Sequence, residues 1–198
     1  TRDGDVLYGM TQFSGSEDHG SVCRIHISGS GFSMLYSFGT AAQFMARPSG
    51  SLVLQDGVLY GMTQSGGAYG RGAIFSIRTD GTDVRVLHSF IDSPDDGREP
   101  HGSLVLDDGV LYGMTYRGGV SDVGTVFRIG TDGTDFSVLH SFTTSNTDGQ
   151  SPFGSLTVHQ GALFGMTRTG GWNDRGTIFR INKDGSGFET IYDFSYSF

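Results

Sequence analysis

The chain has 198 residues, with 21 acidic against 13 basic side chains and a net charge of −8. Phosphate contacts need a basic stripe, so this balance disfavours a nucleic-acid partner, and no run approaches the roughly 18 apolar residues that span a bilayer. Glycine supplies 33 residues and proline only 4, which marks turn chemistry rather than a disordered linker.

Elements recur along the chain with a step of 52 residues: Gly9-Met10-Thr11 returns as Gly61-Met62-Thr63, Gly113-Met114-Thr115 and Gly165-Met166-Thr167. Phe38, Phe90, Phe142 and Phe194 keep the same step, as do Gly50, Gly102 and Gly154. A period of about 40 to 50 residues with several short strands per repeat is the signature of a propeller blade. Thr stands at position 1 where a translated chain has Met, in keeping with a removed leader.

The first repeat carries no apolar run ahead of its Gly-Met-Thr strand. Its Cys23, the sole cysteine, fills the slot of Phe75, Phe127 and Phe179 and reads as a small apolar core residue. A long connection of eleven residues separates Phe38 from Gly50. The third repeat shows the full unit. Ser103–Leu106 is a short apolar strand a, closed by Asp108-Gly109, and Val110–Thr115 is strand b. A Gly-punctuated loop follows to Gly124. Thr125–Ile129 is strand c, Thr131–Thr134 a tight turn, and Phe136–Phe142 strand d. Asp-Gly between apolar runs is a strong hairpin signal, and no window shows helical periodicity.

These elements predict an all-β fold: a β-propeller of four 52-residue blades, each a four-stranded antiparallel meander, forming one domain over residues 1–198. The blades divide at approximately 1–49, 50–101, 102–153 and 154–198. Four complete repeats would exceed the chain, so two alternatives stand beside a closed ring. One is a half-ring that dimerises into eight blades. The other completes the first blade with the terminus around Ser195 to Phe198.

Pro152–Leu156, Leu163–Thr167, Gly170-Gly171, Gly176–Ile181 and Ile191–Phe194 together resemble the GloVer-type tandem repeat of bacterial extracellular and surface-anchored proteins. The resemblance covers essentially the whole chain. It implies a propeller-like fold and a secreted location, and it carries no catalytic residues. Two departures are Met where the family often has Thr, and Arg or Ser in the third strand where it has Lys.

Strand directions alternate within a blade, so the a–b and c–d turns share one face and the b–c and d–a loops share the other. The turns are short and uniform between repeats; the loops diverge. Binding residues concentrate on loops held by a rigid frame, which points to the b–c and d–a face. On it, Trp172, Asn173, Asp174 and Arg175 offer an aromatic platform beside planar hydrogen-bonding groups, and Tyr69 with Arg71 is a thinner copy. Asp122, Asp18 and His19 occupy related loop positions. Each also reads as an exposed loop residue packing on its neighbours.

Asp92, Asp95, Asp96 and Glu99 could offer oxygen ligands to Ca2+, although an acidic turn is the simpler reading. Asp80, Asp132 and Asp184 read as turn formers. His88 and His140 share a strand slot with Tyr36 and Tyr192, which suggests packing with a hydrogen-bonding tip; the remaining histidines show no ligand spacing. No cofactor is called for, and no nucleophile elbow or phosphate loop occurs. The leading expectation is a secreted, multivalent, lectin-like propeller that binds a carbohydrate or cell-surface glycan. The alternatives are an adhesive surface module that binds protein or itself as a homodimer, and a polysaccharide hydrolase or lyase.

Overall fold

In this computed structural model, residues 1–39 and 45–195 are described. The first sheet holds β1 (Arg2–Asp3), β2 (Val6–Thr11), β3 (Ser21–His26) and β4 (Ser33–Ser37). The second holds β5 (Met45–Gln55), β6 (Val58–Gly66), β7 (Ala73–Arg78) and β8 (Arg85–Ser89). The third comprises β9 (Gly97–Pro100), β10 (Val105–Asp107), β11 (Val110–Gly118), β12 (Thr125–Gly130) and β13 (Ser137–Ser141). The fourth comprises β14 (Gly149–Pro152), β15 (Thr157–His159), β16 (Ala162–Gly170), β17 (Thr177–Asn182) and β18 (Glu189–Asp193). Every pairing is antiparallel, and apart from β9 with β11 and β14 with β16 it joins chain neighbours, so each sheet is the expected meander.

Strand a differs from expectation. It starts upstream of the apolar run, because Gly97–Pro100 and Gly149–Pro152 also pair with strand b. In the second blade both pieces join into β5. Those residues are poor strand formers, and the sequence places them in the long d–a loop. Tertiary pairing overrides that preference. Pro48, Pro100 and Pro152 are tolerated because strand a is the edge of its sheet. The first blade has only the two-residue stub β1, which pairs Arg2 with Leu7 and Asp3 with Val6. Residues 196–198, offered above as a means of completing that blade, lie outside the described residues, as do residues 40–44 of the first d–a connection.

Strand a is innermost. The Ser51 amide donates to Ser103 Oγ at 2.8 Å and the Ser103 amide to Ser155 Oγ at 2.9 Å, one repeat apart each time. A side chain at Gly50 or Gly102 would strike the backbone of Gly102 or Gly154 in the next blade. The a–b turns place Asp56-Gly57 and Asp108-Gly109 at positive φ, the geometry that matches strand twist. Asp80, Asp132 and Asp184 close the c–d turns as expected, each accepting from the amide two residues on at 2.9, 3.0 and 2.9 Å.

Three core clusters lie between successive blades. Each joins one blade's forward face, typified by Tyr60, Met62, Ile74 and Phe90, to the next blade's backward face, typified by Leu111, Phe127 and Ile129. The Gly-Met-Thr repeat is explained within this packing. A Cβ at Gly61, Gly113 or Gly165 would collide with the ring of Phe75, Phe127 or Phe179 on the paired strand. Met62 and Met114 fill the forward interface at 0% and 1% exposure. The threonine hydroxyls of Thr115 and Thr167 meet Thr125 and Thr177 at 2.8 and 2.9 Å. Cys23 is half-buried with its thiol 3.6 Å from the Gly9 carbonyl.

The second blade breaks the threonine pattern. Ala73 stands opposite Thr63, whose buried hydroxyl has no partner. Ala73→Ser should supply one and raise stability by about 1 kcal/mol, read as a higher urea midpoint at unchanged m-value. Phe127→Ala should cost about 3–5 kcal/mol in the same assay, as a fully buried ring whose cavity cannot collapse. A cost below about 1 kcal/mol would contradict the blade register.

Candidate functional site

In the second, third and fourth blades strand b runs beyond Gly-Met-Thr toward the b–c loop, and the first residue past that triplet varies between blades: Gln12, Gln64, Tyr116 and Arg168. These side chains meet their counterparts one repeat away. Gln12 Nε2 donates to Gln64 Oε1 at 3.4 Å, and Arg168 Nη1 donates to the Tyr116 hydroxyl at 3.4 Å. Strand a adds Arg47 and Glu99 from the same end of the blades, and His101 and Phe153 stand just past its upstream pieces β9 and β14. Arg47 and Glu99 hold φ at +57° and +55°, a left-handed conformation that non-glycine residues seldom adopt. It is fixed across the blade boundary, since the Arg47 and Glu99 amides donate to the carbonyls of His19 and Arg71 at 2.9 Å each.

Between these residues lies a cleft of about 350 Å³, on the b–c and d–a loop face. His101 packs on Phe153 at 4.3 Å between ring centroids and on Tyr116 at 6.0 Å. Phe153 is 47% exposed, so one ring surface stays open. Gln64 Nε2 donates to His101 Nε2 at 3.0 Å, which requires a neutral imidazole carrying its proton on Nδ1. Burial lowers the His101 pKa in keeping with this, partly opposed by the Glu99 charge.

The basic groups outnumber the acidic ones here. Arg47, Arg71 and Arg168 line the cleft against Glu99. Arg71 pairs with Asp92 at 3.1 Å, while Glu99 lies 3.0 Å from Arg98 and 3.9 Å from Arg117. The protein is acidic overall, yet this surface is locally basic.

The expected site residues do not form one site. Arg71 lines the central cleft. Asp18 and His19 line an adjoining cleft of about 470 Å³ that shares Arg47 and Ser65 with it. Tyr69 is 64% exposed and stands outside both linings. Asp122 accepts from Arg98 at 2.7 Å and from the Gly118 amide at 2.9 Å, and Arg98 holds its carboxyl below the usual range. Asp174 accepts from the Gly170 amide at 2.8 Å, so both aspartates also shape their loops. Trp172, 69% exposed, lines a separate cleft of about 330 Å³ with Thr147, Ile191, Tyr192 and Asp193. Asn173 and Arg175 are exposed on the same turn.

The acidic group offered for Ca2+ does not assemble. Asp96 is buried against His88, at 3.1 Å, and accepts from the Ile91 and Gly97 amides, whereas Asp92 and Glu99 turn toward arginines. Among the described residues no cluster of three or more His, Cys, Asp or Glu side chains could hold a metal ion.

The sequence matches the Gloeobacter/Verrucomicrobia repeat family over residues 1–197. The chain belongs to this repeat family. No curated protein matches it. Among solved structures, a chain of a nidogen/laminin complex superposes with a TM-score of 0.52 at 16% identity, covering 96% of this chain and 76% of that one. TolB from Acinetobacter baumannii gives 0.56 at 13% identity over 98% of this chain and 44% of its own. A putative TolB from Agrobacterium tumefaciens gives 0.56 at 16% identity, over 91% and 57%. This repeat-family chain thus spans about half the length of the TolB chains it resembles, and the likeness shows a propeller-like fold.

Gln64, Tyr116 and Arg168 escaped the search for loop motifs because they sit on strand b beyond Gly-Met-Thr, and His101 and Phe153 because they sit between the two pieces of strand a, while Glu99 entered it only as an acidic-turn residue. A signal was present: the position after an invariant Gly-Met-Thr is occupied by three different residue types in four repeats. The depressed His101 pKa has a consequence for stability. Above about pH 6.5 the imidazole is neutral in both folded and unfolded chains. As pH falls below that value the unfolded chain takes up the proton first, so stability declines until the folded pKa is reached. In His101→Gln this part of the decline should vanish, which denaturation free energies at pH 7 and pH 5 would reveal as a shallower slope.

Proposed function

We propose that the chain is a secreted, lectin-like propeller whose four blades act as one domain and bind glycans on the b–c and d–a loop face. The observation that carries this reading is the central cleft: an open Phe153 ring beside Tyr116 and His101, surrounded by Gln64, Glu99 and three arginines. Sugar rings present axial C–H bonds to aromatic faces and hydroxyls to planar polar side chains, and this lining offers both. The excess of guanidinium groups favours a saccharide bearing carboxylate or sulfate. The adjoining clefts around His19 and around Trp172 supply further shallow sites, and linked weak sites gain avidity. In the Trp172 cleft the Asp193 carboxylate accepts from the Trp172 amide at 2.7 Å and fixes the turn that carries the indole. The secreted location rests on the family resemblance.

Glu99 is the only carboxylate lining the central cleft among the described residues, and it is held between arginines, an arrangement suited to binding rather than to paired-carboxylate hydrolysis. A second reading, an adhesive module that pairs with protein or with itself, draws on the apolar side chains left exposed at the two ends of the blade row. It also draws on the likeness to a chain solved within a nidogen/laminin complex.

A glycan array followed by titration calorimetry tests the first reading. Uronate- or sulfate-bearing oligosaccharides should be retained over neutral ones, with affinity falling as salt rises. Phe153→Ala and Trp172→Ala should each weaken binding at their clefts by roughly 1–3 kcal/mol, the scale of aromatic stacking. Both should leave the thermal midpoint almost unchanged. An array without a retained glycan, or loss of folding in Trp172→Ala, would count against it.

A further inference from the structure

The three blade interfaces repeat one pattern, and the two ends of the row each display half of it. Met62 and Met114 are 0% and 1% exposed in their interfaces, but Met166, the same slot in the fourth blade, is 52% exposed. Phe38, Phe90 and Phe142 are fully buried, while Phe194 is 37% exposed. At the opposite end, Leu59, Leu111 and Leu163 are fully buried, yet Leu7 is 40% exposed. Beside it Phe32 and Met34 are exposed at 64% and 47%.

Three contact series also stop at the ends. His88 stacks on Phe136 of the next blade at 3.7 Å, and His140 on Phe188 at 3.5 Å. The next members would be Tyr192 and Phe32, and both are more than half exposed. Gly81, Gly133 and Gly185 sit against Leu35, Leu87 and Leu139 of the preceding blade, whereas a Cβ on Gly29 would meet nothing within 4 Å. Gly20, Gly72 and Gly124 abut Pro48, Pro100 and Pro152 of the following blade, and Gly176 abuts only its own strand b.

We propose that the forward face of the fourth blade, around Met166, Tyr192 and Phe194, docks onto the backward face of the first blade of a second copy. There it would meet Leu7, Phe32 and Met34. The occupant follows from continuity with the internal interfaces: the two faces match as those between successive blades match, with Tyr192 laid on Phe32 as His140 is laid on Phe188. This names the surface for the self-association in the second reading above and is independent of ligand binding. The contact is heterologous, face to opposite face, so two copies form a ring if the rotation closes. Each copy carries a net charge of −8, so association should tighten as salt screens the repulsion.

Sedimentation velocity across a concentration series decides it. The wild-type chain should exceed the mass of a 21.2 kDa monomer. Met166→Glu and Phe32→Glu should each sediment as monomers with unchanged β-sheet circular dichroism, because each removes one face. Mixed together they should form a 1:1 complex, since each retains the face the other lacks. That rescue also shows that both variants are folded. A wild-type monomer at every concentration would overturn the proposal. So would a variant that still self-associates alone, the mark of a face-to-same-face contact, or a mixture that fails to pair. Glycan binding, measured on the same samples, reports separately on the cleft.

Discussion

The fold depends on an aromatic ring laid over a glycine. Phe75, Phe127 and Phe179 each cover the glycine opposite them on strand b, and each meets the previous blade's Phe38, Phe90 or Phe142 edge-to-face at 5.3, 5.4 and 5.2 Å. A side chain on that glycine would lift the ring out of the sheet and separate the blades. The ring's bulk therefore dictates the glycine, and its edge-to-face partner sets the spacing between sheets. The first blade shows the converse. Where Cys23 replaces the phenylalanine, a Cβ on Gly9 would meet nothing within 4 Å, so the constraint on that glycine lapses.

Outside this layer a second contact ties each connection to its strand. The Asp148 carboxylate accepts from the Thr143 and Gly149 amides at 2.9 and 2.8 Å and lies 3.3 Å from His140. Asp96 makes the same set with Ile91, Gly97 and His88. The aspartate satisfies loop amides that burial would otherwise leave unpaired, and it orients the imidazole so that its face lies on the next blade's phenylalanine. The conspicuous histidines and the buried acid of the chain are thus spent on joining blades.

Much of this was legible in the sequence, for a physical reason: a packing solution used several times leaves the same residues at the same step. The meander, the Asp-Gly hairpins, the Asx-type c–d turns and the hydrogen-bonding tip of His88 all follow from repeated local chemistry. The upstream half of strand a did not, because Gly149–Pro152 has no strand propensity and is held by tertiary contacts, its pairing with β16 and the Ser151 amide on the Val123 carbonyl. The cleft was only half visible. Its face follows from loop divergence, but its lining comes from strand ends such as Arg168 and Phe153. Trp172, a conspicuous single residue, lies in a separate cleft beside the blade edge.

Divergence of side chains on the loop face does not imply a loose backbone there. The first three b–c loops are each clasped by the following blade: the Arg47, Glu99 and Ser151 amides donate to the carbonyls of His19, Arg71 and Val123 at 2.9, 2.9 and 2.7 Å. The b–c turn is tied to strand d of its own blade as well, through the Ala68 and Val120 amides on Ser89 and Ser141 at 3.1 and 2.8 Å. A loop held at both ends can exchange side chains without changing its path, so the cleft is a fixed frame with replaceable fittings. Ordering costs on binding are then confined largely to side chains such as Arg168, whose only described polar contact is the Tyr116 hydroxyl. The guanidinium groups, set in a concave surface of an otherwise acidic protein, concentrate positive potential where a ligand would enter. Under the proposed glycan-binding reading, specificity would reside in which side chains each repeat places after Gly-Met-Thr, and the blades beneath need not change to alter it.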